Sequence, residues 1–222
     1  MDIRYFNQVE IPIGKITLNG ELFIPLKAQA IIVFSHGSGS SRFSKRNQMV
    51  AKNLHENNFG TLLFDLLTEE EDINYSNRFD IDLLSKRLAG AATWLGRFPA
   101  AKNCRIGFFG ASTGAASALR VAAIMPEVFA VISRGGRPDL AISELPKVNA
   151  PTLFIVGSLD YDVIQLNQKA LQQLTCEKKL EIIHGATHLF EEKGTMEKVC
   201  VLATLWFKKY LEPAEILKKE VC

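Results

Sequence analysis

The sequence predicts an α/β protein with a mainly parallel sheet, and three observations lead there. Short apolar runs alternate with segments of roughly ten to fifteen residues that repeat apolar side chains at helical spacing, the pattern of parallel strands joined by right-handed crossovers. Clusters of small and polar residues follow directly after several of the apolar runs. One run, 106–109, passes through Gly110-Ala111-Ser112-Thr113-Gly114 into a helix of small residues. In an open parallel sheet, ligands bind beyond the carboxyl ends of the strands, so these loops are predicted to share one site.

Taken in order, residues 8–13 and 15–24 are extended, with turns expected at Gly14 and at Asn19-Gly20. Asn-Gly between apolar alternations is a hairpin signal, so the chain opens with an antiparallel pair. Residues 30–34, Ala-Ile-Ile-Val-Phe, read as a strand buried on both faces and run into Ser35-His36-Gly37-Ser38-Gly39-Ser40-Ser41. A helix over about 44–56, a strand over 61–64, a polar loop and a long helix over about 80–95 come next. Within the loop, Glu69-Glu70-Glu71-Asp72 reads as a solvated face. The helix after the 106–109 strand covers 113–125 and stops before Pro126. A strand over 129–132 leads to Ser133-Arg134-Gly135-Gly136-Arg137-Pro138, and one over 152–156 leads to Gly157-Ser158-Leu159-Asp160 and a helix near 163–174. The last strand, 180–183, leads to His184-Gly185-Ala186-Thr187-His188-Leu189-Phe190, and an amphipathic helix over about 196–211 closes the domain. The tail 214–222 is open between a short helix and a frayed end.

A chain of 222 residues without an interior Pro-, Gly- or Ser-rich linker is expected to form one domain over 1–222. Its 26 basic and 24 acidic residues are scattered, which points away from nucleic acid and membrane surfaces and towards a small-molecule substrate. The start, Met1-Asp2-Ile3-Arg4-Tyr5, lacks the basic head and apolar run of a secretory signal, and no stretch is long enough to span a bilayer. A soluble, cytoplasmic protein, monomeric or homodimeric, is expected. Four dispersed cysteines with no Cys-x-x-Cys spacing indicate neither a metal site nor a disulfide framework, and no cofactor is expected.

The chemistry centres on Ser112. Gly-x-Ser-x-Gly between a buried strand and a helix is the pattern of a nucleophile elbow, whose glycines let strand and helix pack around a serine held at a sharp turn. A serine hydroxyl needs a base to take its proton, and the base needs an acceptor that fixes its tautomer. His188 is the candidate base, preferred to His184 because Gly185 frees it from the strand end. Asp160 is the candidate acid, preferred to Asp162 because it lies closer to its strand, where Asp162 is placed to cap the following helix. The amides of Thr113 and Ser38 are the candidate oxyanion donors, with Gly37 and Gly39 as neighbours of Ser38 and His36 orienting that loop; His36, Gly37 and Gly39 are also candidates to contact the substrate. Arg134 and Arg137, on the loop after 129–132, suit a carboxylate or phosphate on the substrate; a solvated basic loop is the competing explanation.

The four loops, Ser35 to Ser41, Gly110 to Gly114, Gly157 to Asp160 and Gly185 to Phe190, together resemble the α/β-hydrolase superfamily, and within it the small dienelactone-hydrolase-like members. The chain order Ser, Asp, His matches that superfamily. The resemblance implies a sheet of about eight strands with helices on both faces and metal-free ester hydrolysis through an acyl-enzyme. Ser112 stands where the dienelactone hydrolases proper carry cysteine. The short connections leave no room for a large lid. The expected activity is hydrolysis of small carboxylic esters or lactones. The alternatives are acyl transfer or short-peptide hydrolysis by the same residues, and a non-catalytic binding protein that keeps the fold.

Overall fold

The structure, a computed structural model, describes residues 1–211, so the expected tail at 214–222 lies outside the described residues. Its strands are β1 (Ile3–Ile13), β2 (Ile16–Pro25), β3 (Ala30–Ser35), β4 (Gly60–Phe64), β5 (Arg105–Ala111), β6 (Val131–Arg134), β7 (Thr152–Gly157) and β8 (Lys178–Ile183). They form one eight-stranded sheet in the order β1-β2-β4-β3-β5-β6-β7-β8. β1 pairs antiparallel with β2, and β2 with β4; every later neighbour is parallel. The helices are α1 (Lys45–Glu56), α2 (Glu69–Ile73), α3 (Ile81–Arg97), α4 (Thr113–Ile124), α5 (Tyr161–Gln173) and α6 (Thr195–Leu211).

The central strands are buried on both faces, which is why 30–34 is apolar without interruption. Val50, Leu54, Val199 and Phe207 from α1 and α6 close one face on Ile32, Phe109 and Ile132. Leu84, Leu88, Leu119 and Ala170 from α3, α4 and α5 close the other on Val33, Phe108 and Val131. Ser44 and Asp80 cap α1 and α3 by accepting from Asn47 N–H and Leu83 N–H.

Three expectations are corrected. The opening hairpin turns only at Gly14 (φ +65°) and Lys15, since Ile13 pairs with Ile16, and Asn19-Gly20 lies inside β2 opposite Glu10 and Val9. Gly20 is needed there for packing: a Cβ on it would come within 3.1 Å of Phe64 Cβ and 3.2 Å of Ile11 Cδ1. The strand expected over 129–132 is β6 two residues later, because its ladder with β5 pairs Gly110 with Ser133 and Ala111 with Arg134. Arg134 therefore ends a buried strand instead of riding a loop. The acidic run is not merely solvated. It forms α2, capped reciprocally by Thr68 and Glu71, and Glu71 pairs with the buried Arg87 of α3. Between β4 and α3 the described residues hold only α2 and a single 3-10 turn over Tyr75–Phe79, together too small to be a large lid.

Candidate active site

The turn after β5 is built by what its glycines exclude. A Cβ on Gly110 would lie 2.4 Å from Ala115 Cα, and one on Gly114 would lie 2.1 Å from the Ser35 carbonyl oxygen and 2.4 Å from that of His36. The first amino-terminal turn of α4 thus packs directly on the carboxyl end of β3. Gly114→Ala is expected to force these backbones apart and to destabilise the fold by about 3 kcal/mol, the upper end of the usual cost of overpacking, read as a lowered urea midpoint. Unchanged unfolding would disprove this account of the turn.

Ser112, between the two, has φ 51° and ψ −122°, a left-handed conformation that costs a non-glycine residue about 1–3 kcal/mol. It stands at the N-cap position of α4, yet its side chain caps nothing. Its backbone is held on both sides by the loop after β6: Ser112 N–H donates to the Arg134 carbonyl (3.2 Å), and Arg137 N–H donates to the Ser112 carbonyl (3.1 Å). The same loop meets His188, since a Cβ on Gly135 (φ +52°) would sit 3.5 Å from His188 Cε1 and 3.6 Å from Nδ1.

His188 and Asp160 are brought together from β8 and β7. His188 Nδ1 lies 2.6 Å from Asp160 Oδ2, with the Asp160 carboxylate largely buried and the ring partly exposed. The two loops are stitched to each other: Leu159 N–H donates to the Ala186 carbonyl (3.0 Å), and Gly185 N–H donates to Ser158 Oγ (2.8 Å). Gly157 allows this approach, because a Cβ there would lie 2.3 Å from the Ala186 carbonyl oxygen. Glu192 clasps Thr187 through both its amide (3.1 Å) and its hydroxyl (2.6 Å), closing the turn that carries His188. The Thr187 hydroxyl in turn holds the Glu192 carboxyl below the usual range. The rejected candidates lie elsewhere. His184 is exposed and lines a groove between β8 and α6 with Ile182 and Val201, and Asp162 is exposed in the first turn of α5. Among the described residues no hydrogen bond joins the Ser112 hydroxyl to His188; catalytic hydrogen bonds often tighten only in the substrate complex.

The loop after β3 passes against the serine. A Cβ on Gly37 would lie 3.0 Å from Ser112 Cβ, and Gly39 turns the chain with φ +67°. Ser38 N–H donates to Thr113 Oγ1 (2.9 Å), so this expected oxyanion donor already has a protein acceptor. The Thr113 amide opens α4 and has no intrahelical acceptor. His36 is a backbone clamp: Nδ1–H donates to the Gly37 carbonyl (3.0 Å), and Nε2 accepts from Leu66 N–H (3.1 Å). With both nitrogens occupied, it has none left for a substrate, and burial lowers its pKa, favouring the neutral ring this pairing needs.

The two arginines part company. Arg137 lies flat on Asp139, with Nε to Oδ1 at 2.9 Å and a second bond at 2.8 Å, and is half-exposed. Arg134 is 6% exposed, its guanidinium 5.6 Å from the Phe190 ring centroid, and no carboxylate pairs with it among the described residues. Its buried Nε has no partner among the described residues. Burial, reinforced by the Arg46 charge, pushes it down to about 10. Among the described residues no group of three or more His, Cys, Asp and Glu is placed to hold a metal. No helix among them is long and apolar enough to cross a membrane.

Comparison with known proteins places this arrangement. The dienelactone hydrolase family matches residues 18–211. The crystal structure of a dienelactone hydrolase from Anabaena variabilis is 50% identical, with a TM-score of 0.91 over 94% of this chain and 99% of that one. Est1E from Butyrivibrio proteoclasticus shares the fold alone, at 15% identity and a TM-score of 0.79 over 92% of this chain and 98% of that one. A Mycobacterium tuberculosis protein described as a putative phosphoribosyl transferase is 50% identical over 206 residues, 92% of this chain. Those residues make up 46% of that relative, so this chain spans less than half its length. With the family match running from β2 to the end of α6, the chain belongs to the dienelactone hydrolase family of the α/β-hydrolase fold.

Proposed function

We propose that the protein is a serine hydrolase of small carboxylic esters or lactones, working through an acyl-enzyme without a cofactor, as a soluble cytoplasmic protein of one domain. The observation that carries this is the 2.6 Å contact of His188 Nδ1 with Asp160, made beside a loop that also grips the backbone of a strained Ser112. Asp160 keeps the Nδ1 proton in place, leaving Nε2 to take the proton from Ser112 Oγ as it attacks the ester carbonyl. The oxyanion that forms is met by the Thr113 amide, backed by the amino-terminal dipole of α4, and by the Ser38 amide once it exchanges Thr113 Oγ1 for the substrate oxygen. His188 then returns the proton to the leaving alcohol, and water repeats the sequence on the acyl-enzyme. A fluorophosphonate is the direct test: it should add once, to the peptide containing Ser112, in step with loss of hydrolysis of a short-chain p-nitrophenyl ester. Addition at another residue, or none, refutes the assignment.

Arg134 supports an anionic group on the substrate. A buried guanidinium without a counter-ion is costly, and a ligand carboxylate reaching its outer nitrogens would supply the opposite charge. Arg137, satisfied by Asp139, is left out of this role. Arg134→Met should lower kcat/KM for 4-acetoxybenzoate about tenfold while leaving 4-acetoxybenzamide near wild type, since bonds to charged groups are worth about 1.5–3 kcal/mol. Equal losses on the two esters would remove Arg134 from substrate recognition.

A further inference from the structure

Asn167, two turns into α5, is fully buried in a stripe with Val163 and Ala170. An apolar residue would be the simpler occupant of such a position. Its side-chain amide donates twice, to the Val163 carbonyl one turn back (2.8 Å) and to the Gly136 carbonyl (3.0 Å). Its Oδ1 has no partner among the described residues, so the residue is held in place by what it gives to those two carbonyls.

Gly136 is the middle of the loop that joins nucleophile and base. On one side of it, Arg134 accepts from the Ser112 amide and Gly135 lies against the His188 ring; on the other, Arg137 donates to the Ser112 carbonyl. Gly136 itself is wedged against α4, where a Cβ would fall 2.7 Å from Ala115 Cβ and 2.0 Å from Ser133 Oγ. Its carbonyl is the loop's attachment to α5. That helix begins at the N-cap residue Asp160, whose carbonyl accepts from Ile164 N–H.

We infer that Asn167 is a positioning residue for the reaction: through Gly136 it sets Ser112 and His188 in register with Asp160, so that one helix aligns all three. This rests on the proposed serine hydrolase. Losing the bond lets the 135–137 loop relax by tenths of an ångström, enough to misalign proton transfer without unfolding a sheet held elsewhere.

The test uses Asn167→Leu, which keeps the branched heavy-atom outline and removes both donors, and Asn167→Ala, which removes them without adding bulk. For either, kcat on a p-nitrophenyl ester should fall at least tenfold with KM within about twofold, the second-order rate of fluorophosphonate addition to Ser112 should fall in parallel, and the acid limb of the kcat/KM pH profile should shift. Thr204→Val serves as the control for a lost buried hydrogen bond, since Thr204 binds Asn53 Oδ1 (2.7 Å) between α6 and α1; it should lower the melting temperature and leave kcat, labelling and pH profile unchanged. If Asn167→Leu does not fold, Asn167→Ala decides. Wild-type kcat, labelling and pH profile in the folded variant would overturn the inference. Failure of the proposed function looks different, because Ser112 would then go unlabelled in the wild type itself.

Discussion

Ser112→Ala should lower kcat/KM for a short-chain p-nitrophenyl ester by about 10⁴-fold or more, leaving only what binding and the oxyanion amides achieve with water. The variant should fold as the wild type does. Its side chain makes no capping bond, and alanine carries the same Cβ into the same left-handed backbone, so neither packing nor strain changes. Ser112→Gly separates the two contributions of this position. It should be as inactive, yet melt at a higher temperature, because glycine adopts φ 51° without the penalty of about 1–3 kcal/mol that a side chain incurs there. A rise in stability together with a loss of turnover would mean that the chain tolerates the strained turn for the sake of its hydroxyl. Retained hydrolysis in Ser112→Ala would move the chemistry to another residue.

The sheet was legible because its central strands are apolar on both faces, a pattern that survives whatever the neighbours are. The loops that bear Ser112, Asp160 and His188 were legible for a related reason: each begins where an apolar run stops, and the crossover rule puts all those ends on one edge. What escaped depends on contacts between distant segments. Asn19-Gly20 has the composition of a hairpin turn, but Gly20 answers to Phe64 and Ile11, which no local pattern reports. Phe129 and Ala130 read as strand, whereas the ladder with β5 begins at Val131 and carries on through Ser133 and Arg134, whose polar side chains argue against a buried strand. Glu71 looked like one charge in a solvated run until α3 brought Arg87 to it. His36 sat in a loop expected to touch substrate, and the fold gives both its nitrogens to backbone. For Asn167 a signal existed, a lone amide at an otherwise apolar helical position, but its partner carbonyl thirty-one residues away is visible only in three dimensions.

The same contrast between local and distant partners governs Asp160. By position it is an N-cap, and the ordinary task of an aspartate there is to accept from the helix's first amides. It makes no such bond: α5 goes uncapped by it, and the carboxylate turns to His188 Nδ1. Asp160→Asn should therefore leave the melting temperature nearly unchanged while lowering kcat by about 10⁴-fold. The cause is the tautomer. An asparagine amide facing Nδ1 donates to it, the ring proton moves to Nε2, and the nitrogen that the proposed mechanism uses as the base can no longer accept. Nor would a neutral amide steady the imidazolium that the proposed attack by Ser112 forms. Asp162→Asn, two residues away and exposed, should retain wild-type kcat, which separates a specific partner from general negative charge near the ring. If Asp160→Asn kept even a tenth of the activity, His188 would be drawing its orientation from elsewhere. The first place to look would be the Gly135 loop, the other wall against which the ring is packed.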